Sequence, residues 1–169
     1  MWGSTLYAQP FRLSFQHLST EDGLSQGLNA YAFQDSHGYM WLGSLEGLNR
    51  FDGRNVKVYK VESGRPNGMQ DNILTSQCFE DRNGNLWFST YQGINYYDRQ
   101  ADQVFGFRLK DESGDFLVQD YAAFYFDDDG RLWIRVGYDD TGKLHVYDTQ
   151  TRTDSILCSI NGYRQAVWK

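Results

Sequence analysis

Apolar and polar residues alternate over short stretches of this chain, and Asp or Gly closes most of these stretches. Residues 28–34 and 56–61 illustrate the alternation, which has the two-residue period of a half-buried β-strand. No long stretch places apolar residues at positions i, i+3, i+4 and i+7, as an amphipathic helix would. The pattern therefore predicts an all-β chain of short strands joined by tight turns.

The alternating stretches recur with a fixed interval. Trp41, Trp87 and Trp133 follow one another at steps of 46 residues. The same step separates a set of glycines and a set of aspartates, which are Gly38, Gly84 and Gly130, and Asp35, Asp81 and Asp127. Between Asp98 and its next equivalent, Asp148, the step is 50, so the third repeat carries four extra residues.

Each repeat predicts four strands. The first strands are expected at 28–34, 74–80 and 121–126, and the tryptophan-bearing second strands at 39–44, 85–90 and 131–136. The third strands are expected at 48–51, 94–97 and 144–147, and the fourth at 56–61, 104–109 and 155–160. Asp-x-x-Gly lies between the first two strands, where Asp accepts backbone N–H groups and Gly supplies a positive φ.

Four strands in a unit of about 46 residues are typical of a β-propeller blade. We therefore expect three four-stranded antiparallel blades of an incomplete, seven-bladed propeller, with a tryptophan filling the space between neighbouring blades. The blades are expected at 24–62, 70–110 and 117–160, with a fourth beginning at 165–169. Residues 11–18 alternate and are expected to pair with the last blade of a closed ring, whereas 1–10 predict a signal-peptide remnant or a disordered tail.

Net charge and composition limit the classes of partner that this chain could bind. The net charge is −6, the calculated pI is near 4.9, and Lys and Arg form no cluster. This argues against a nucleic-acid partner and against contact with an anionic membrane, both of which need a basic face. The chain has no apolar run of 18 residues that could cross a bilayer. Cys78 and Cys158 predict two buried thiols rather than a disulfide framework.

Several motifs resemble a known repeat family. The motifs are residues 18–26, 41–44 and 47–53 of the first repeat and 87–90 and 93–98 of the second. They resemble the two-component regulator propeller repeats, which form the periplasmic sensor region of hybrid histidine kinases in Bacteroidetes. The third repeat departs from the pattern at 135–137 and carries an insertion at 138–143.

The resemblance implies a function that composition alone does not. It implies an N-terminal fragment of a periplasmic sensor, which detects oligosaccharides released from glycans and signals to a histidine kinase absent from this chain. Other parts of such proteins, the membrane helix and the kinase motifs, are not in this sequence, so no enzymatic activity is expected here. Two alternatives stay open: a general propeller scaffold for protein contacts, and a fragment of a propeller carbohydrate-active enzyme.

Residues that could carry metal or acid–base chemistry have simpler explanations. Asp127 begins an Asp-Asp-Asp-Gly turn, which lacks the alternating ligands and distal Glu of a calcium loop. His17, His37 and His145 lack metal-ligand spacing. Asp52 and Asp98 recur with the repeat, as turn residues do and an active site need not. We therefore predict no metal and no cofactor.

Ligand contacts are expected where the repeat is broken, because scaffold positions recur and functional positions need not. One such segment is the linker between the first two repeats, with Arg65 and Asn67. The other is the insertion, where Tyr138 could stack on a sugar ring and Asp139 and Asp140 could accept hydroxyl hydrogen bonds. The expected partners are an oligosaccharide, and either the remaining propeller blades or a second copy of the chain.

Overall fold

The computed structural model describes residues 15, 17–110, 124–136 and 142–159. Twelve strands form three separate four-stranded antiparallel sheets in these residues, and within each sheet the strands follow one another in chain order. The all-β class and the three four-stranded antiparallel sheets predicted from the sequence are confirmed, and we refer to each sheet as a blade. The seven-bladed ring remains a prediction. The expected signal remnant at 1–10 and the expected fourth blade at 165–169 lie outside the described residues.

The strands of each blade are as follows. The first blade contains β1 (Asn29–Gln34), β2 (Met40–Ser44), β3 (Gly47–Phe51) and β4 (Val56–Tyr59). The second contains β5 (Phe79–Glu80), β6 (Leu86–Thr90), β7 (Gly93–Asp98) and β8 (Gln103–Gly106). The third contains β9 (Phe124–Phe126), β10 (Arg131–Val136), β11 (Lys143–Asp148) and β12 (Thr153–Ser159).

The Asp-x-x-Gly turns form as predicted and also hold the tryptophan. In the first blade, Asp35 Oδ1 accepts the backbone N–H groups of His37 and Tyr39, at 3.0 and 2.9 Å. Gly38 has φ +85°, a left-handed conformation that a side chain would strain. The other carboxylate oxygen of Asp35 accepts the indole N–H of Trp41 at 2.8 Å. The same indole bond joins Trp87 to Asp81 at 2.9 Å and Trp133 to Asp127 at 2.7 Å.

The tryptophans lie between blades. Trp41 is 1% exposed and packs with side chains of the first two blades, which include Leu48, Tyr59, Leu86, Phe88 and Tyr97. Trp87 is 4% exposed and packs against Leu132 and Ile134 of the third blade. Trp133 is only half-buried. Burying an indole removes roughly 150–250 Å² from water, an upper stabilisation of ~4–6 kcal/mol. The two joints between blades are therefore the apolar core.

The fourth strands expected at 56–61 and 104–109 end earlier, at Tyr59 and Gly106, and two other expected strands differ more. The strand expected at 74–80 shortens to β5, preceded by an isolated bridge between Leu74 and Thr90. Here the Ser76 hydroxyl accepts the backbone N–H of Ser89 at 2.9 Å, so a side chain replaces a ladder bond. In the described part of the segment 11–18, residues 15, 17 and 18 form no strand. A 3₁₀ turn (Thr20–Asp22), capped by Ser19, follows instead.

The meander gives each blade two distinct ends. We call the end with the β1–β2 and β3–β4 turns the turn end. The opposite end carries the β2–β3 turn, and the chain leaves β4 and enters the next blade there. We call this opposite end the linker end. Both irregular segments singled out in the sequence attach to the linker end, because one follows β4 and the other connects β10 to β11.

Candidate functional site

The linker between the first two blades is fixed to both of them. The backbone N–H of Gln70 bonds to the buried Asn95 side chain at 3.0 Å, and the Gly106 N–H bonds to Gly68 O at 3.0 Å. On the other side, Asn72 O accepts the Gly47 N–H at 2.9 Å, and Asn72 Oδ1 accepts the Val61 N–H at 2.8 Å. These bonds order a segment that has no regular secondary structure.

A groove opens where this linker crosses the end of β8. Its volume is about 190 Å³, and it is lined by Pro66, Asn67, Gly68, Gln70, Tyr96, Gly106, Phe107 and Arg108. The close crossing requires glycine at position 106, because a Cβ there would lie 2.7 Å from the Gln70 side chain and 3.0 Å from Gly68 O. The Gln70 amide donates to Phe107 O at 3.2 Å and closes one wall.

The groove combines an aromatic wall with polar groups. The ring of Tyr96 stacks on Trp87, with centroids 5.1 Å apart, and the ring of Phe107 meets Trp87 edge-on at 5.2 Å. Burial raises the pKa of Tyr96, so its hydroxyl is neutral at physiological pH. Asn67 is exposed and Arg108 is the charged member of the lining. Aromatic faces beside amide and guanidinium groups are suited to a small polar ligand.

The residues predicted from the linker have different positions. Asn67 lines the groove. The Arg65 guanidinium lies 5.2 Å from the centre of the Phe105 ring and donates to Gln103 Oε1 at 2.6 Å. Arg65 therefore fastens the linker to β8. Tyr138, Asp139 and Asp140 lie outside the described residues, and their role in ligand binding remains a prediction.

A carboxylate that sequence reasoning missed joins the first two blades. Asp102, in the β7–β8 turn, accepts hydrogen bonds from Arg50 at 2.8 Å, Lys57 at 2.6 Å, Tyr59 at 2.7 Å and Tyr97 at 2.9 Å. Three of these donors are on the first blade. Burial alone would raise the pKa of Asp102, but hydrogen bonds from Lys57 and the two tyrosines, with the Arg50 charge, hold it well below the usual range.

A second ion cluster joins the same blades at the turn end. Arg99 donates to Asp35 Oδ2 at 2.8 Å and to Glu80 Oε1 at 3.3 Å. Glu80 in turn accepts the Ser36 hydroxyl and backbone N–H at 2.6 and 2.7 Å. Burial opposes ionisation of Asp35, but its bonds from Trp41 and Arg99 lower its pKa on balance. The first joint thus has a polar fastening in addition to its apolar core.

The joint between the second and third blades uses different residues. Tyr96, Gln103 and Phe105 replace Arg50, Lys57 and Tyr59 one repeat later. Arg152 occupies the position of Asp102, and both have a positive φ, +57° and +50°. The charged residues at the two joints therefore do not correspond.

The other groups considered for reactive chemistry have partners within the fold or, like Cys78, are buried. His145 is 1% exposed, and its Nδ1 lies 3.0 Å from Asp154 Oδ2. Cys78 is a free, buried thiol whose pKa is raised to about 12 by burial. Asp127, considered as a calcium ligand, accepts hydrogen bonds from the backbone N–H groups of Asp129 and Arg131 within its turn.

No helix among residues 15, 17–110, 124–136 and 142–159 is long and apolar enough to cross a membrane.

Comparison with solved structures finds the same fold in parts of two extracellular domains. The extracellular domain of BT3049 from B. thetaiotaomicron, described as a hybrid two component system, matches 88% of this chain with a TM-score of 0.65 and 22% identity. The extracellular domain of BT4673, described in the same way, matches 72% with a TM-score of 0.54 and 26% identity. The chain spans 22% and 16% of those two domains. The chain therefore has the fold of a part of these extracellular domains.

Sequence comparison identifies the repeat. Residues 68–92, which run from the linker through the Trp87 strand, match the family described as two component regulator propeller. Histidine kinase P4 of Formosa agariphila is 39% identical over 56 residues, which are 33% of this chain and 4% of the kinase. Residues 68–92 therefore match the repeat family that the sequence motifs of the first two repeats resemble.

Proposed function

We propose that this chain is part of an extracytoplasmic, periplasmic sensor that binds glycan-derived oligosaccharides and signals to a histidine kinase domain outside this sequence. The groove carries the proposal: it places an aromatic ring, an exposed amide and a guanidinium at the linker end. Sugars are bound in proteins by such combinations of stacking surface and hydrogen-bonding groups. The repeat family and the two extracellular neighbours support the sensing role.

The position of the groove suggests how occupancy would be transmitted. Its floor is the end of β8, and the same strand begins at Gln103, beside the Asp102 cluster of the first joint. A ligand that binds one arrangement of the linker better than another would shift the packing of the two blades. The change would reach downstream domains through the blades. We assign no catalytic step to the groove, because its described lining includes no Asp, Glu or His.

Calorimetric titration of the purified chain with a panel of oligosaccharides tests the proposal. We expect at least one saccharide to bind, and Asn67→Ala to weaken binding. Asn55→Ala is the matched control, because Asn55 lies in the β3–β4 turn at the opposite end. Absence of binding across a panel of neutral and acidic saccharides would contradict a sugar-sensing role for this segment.

A protein-contact function is the second candidate, and exposed apolar side chains at the linker end favour it. Leu45 lies in the β2–β3 turn of the first blade, and Tyr91 lies in the equivalent β6–β7 turn of the second. Their side chains are 44% and 51% exposed. Ile73, whose backbone oxygen accepts the Tyr91 N–H at 2.9 Å, is also exposed. The partner would be further propeller blades or another copy of the chain. Light scattering over a concentration series tests the second option, and Leu45→Ser with Tyr91→Ser should reverse any association through this surface.

A further inference from the structure

Phe107 belongs both to the groove and to the joint between the second and third blades. It lines the groove, where its backbone oxygen accepts the Gln70 amide at 3.2 Å. Its ring is 7% exposed and packs in the apolar core of the joint with Leu132 and Ile134 of the third blade. A contact made at this joint can therefore reach the groove.

The ring of Phe107 lies between two other rings. Its centre is 4.7 Å from that of Tyr147, which it meets edge-on, and 5.2 Å from that of Trp87. Aromatic contacts of this geometry are favourable beyond the area that they bury. We infer that Tyr147, on the third blade, is a positioning residue for the groove, because it holds the ring of Phe107 in place. The inference deepens the proposed function and rests on it for the groove's role as a ligand site.

The first joint has a comparable group of rings that is held more firmly. Trp41, Tyr59 and Tyr97 have ring centres 4.7–5.7 Å apart. The hydroxyls of both tyrosines also donate to Asp102, at 2.7 and 2.9 Å. Phe107 has no hydroxyl, so its ring is held by packing. Removing a neighbouring ring should therefore let it move.

Movement of Phe107 would disturb the crossing that forms the groove. The preceding residue, Gly106, donates its N–H to Gly68 O at 3.0 Å and to Asn67 O at 3.2 Å. The crossing has little free space, since a Cβ at position 106 would lie 2.7 Å from the Gln70 side chain. Linkage makes the effect reciprocal. A ligand that needs this position of Phe107 favours the closed joint, so occupancy of the groove would be felt by the third blade.

Amide hydrogen exchange of the chain without sugar, followed by NMR, tests the positioning role. Tyr147→Leu should speed exchange of the Gly106 N–H about tenfold, which corresponds to ~1.4 kcal/mol. Tyr147→Phe keeps the ring and should restore the exchange rate of the unmodified chain. Phe126→Leu is the matched control, because it removes another ring of the third blade from the same joint, one that stacks on Phe79 at 6.4 Å. This control should leave exchange at Gly106 unchanged.

Titration with oligosaccharides of glucose, galactose, mannose and galacturonic acid gives a second measurement. Tyr147→Leu should weaken binding of any of these that the unmodified chain binds by about fivefold or more, whereas Tyr147→Phe and Phe126→Leu should not. If none of them binds, the proposed function fails, and exchange at Gly106 still decides the inference about Tyr147.

The exchange measurement can overturn the inference and leave sugar binding in place. It would do so if Tyr147→Leu left exchange at Gly106 unchanged, or if Phe126→Leu accelerated it equally. If Tyr147→Leu does not fold, NMR of the unmodified chain decides. We then expect nuclear Overhauser contacts between the rings of Phe107 and Tyr147 and slow flipping of the Phe107 ring. Missing contacts or a rapidly flipping ring would overturn the inference.

Discussion

Replacing Asp102 by Asn tests the polar fastening of the first joint. Asn preserves the shape of the side chain and tolerates the left-handed backbone at φ +50°, so the variant isolates the charge. The two tyrosine hydroxyls lose a charged acceptor, which costs roughly 0.5–1 kcal/mol each. The Arg50 pair, whose Arg50 and Asp102 side chains are 18% and 44% exposed, adds about 1 kcal/mol, and the more exposed Lys57 pair adds about 0.5 kcal/mol at most. We expect a loss of about 2–3 kcal/mol.

Urea unfolding followed by tryptophan fluorescence measures this loss, because Trp41 lies in the same joint, 4.7 Å from Tyr97. Glu46→Gln is the matched control. It also removes one negative charge, but from an ion pair with Lys60 at 3.4 Å in which both side chains are largely exposed. The control should cost less than about 0.5 kcal/mol. Equal midpoints for the two variants would refute the view that Asp102 fastens the blades.

Three further predictions follow from burial and from the pKa shifts. Trp87→Ala should cost ~3–5 kcal/mol in a urea or thermal melt, and Trp133→Ala clearly less, because within the described residues only the Trp87 indole, of these two, is enclosed by a following blade. Equal losses would contradict the joint assignment. Asp102 has a lowered pKa, so its contribution is complete above the unfolded value near ~3.9 and is lost as pH falls below it. The difference between the chain and Asp102→Asn should therefore shrink below about pH 4, and a difference constant with pH would contradict this. Cys78, with its pKa raised to about 12, should react with a thiol reagent only on unfolding, and rapid labelling of Cys78 itself in the folded chain, located by peptide mass mapping, would show that it is not buried.

The repeated features of the fold could be predicted from the sequence because each is local. The Asp-x-x-Gly turn is encoded within four residues, and alternation gives each strand its two faces. The bond from each indole to the turn aspartate was missed, although the constant six-residue spacing from Asp35 to Trp41, repeated twice, is its signal. It could have been inferred by asking where a buried indole N–H finds an acceptor.

Interactions between blades could not be predicted in the same way. Asp102 meets Arg50 and Lys57 across 52 and 45 residues of sequence, and its equivalent in the next repeat is an arginine. Such a cluster depends on how two sheets stack, which no local pattern encodes. The groove could be predicted only in part for the same reason. The interruption of the repeat indicated the linker and Asn67, but Tyr96 and Arg108 lie beside Asn67 only because the linker crosses β8 at Gly106.

Hydrogen exchange of the indole Nε1–H groups, followed by NMR, tests the stacked-blade architecture most directly. Trp41 and Trp87 are enclosed by two blades and donate to Asp35 and Asp81, so their indole protons should exchange only through opening of a joint. We expect these two signals to be strongly protected and that of the half-buried Trp133 to be less so. Exchange of all three at the rate of free tryptophan would show that the sheets do not stack as described.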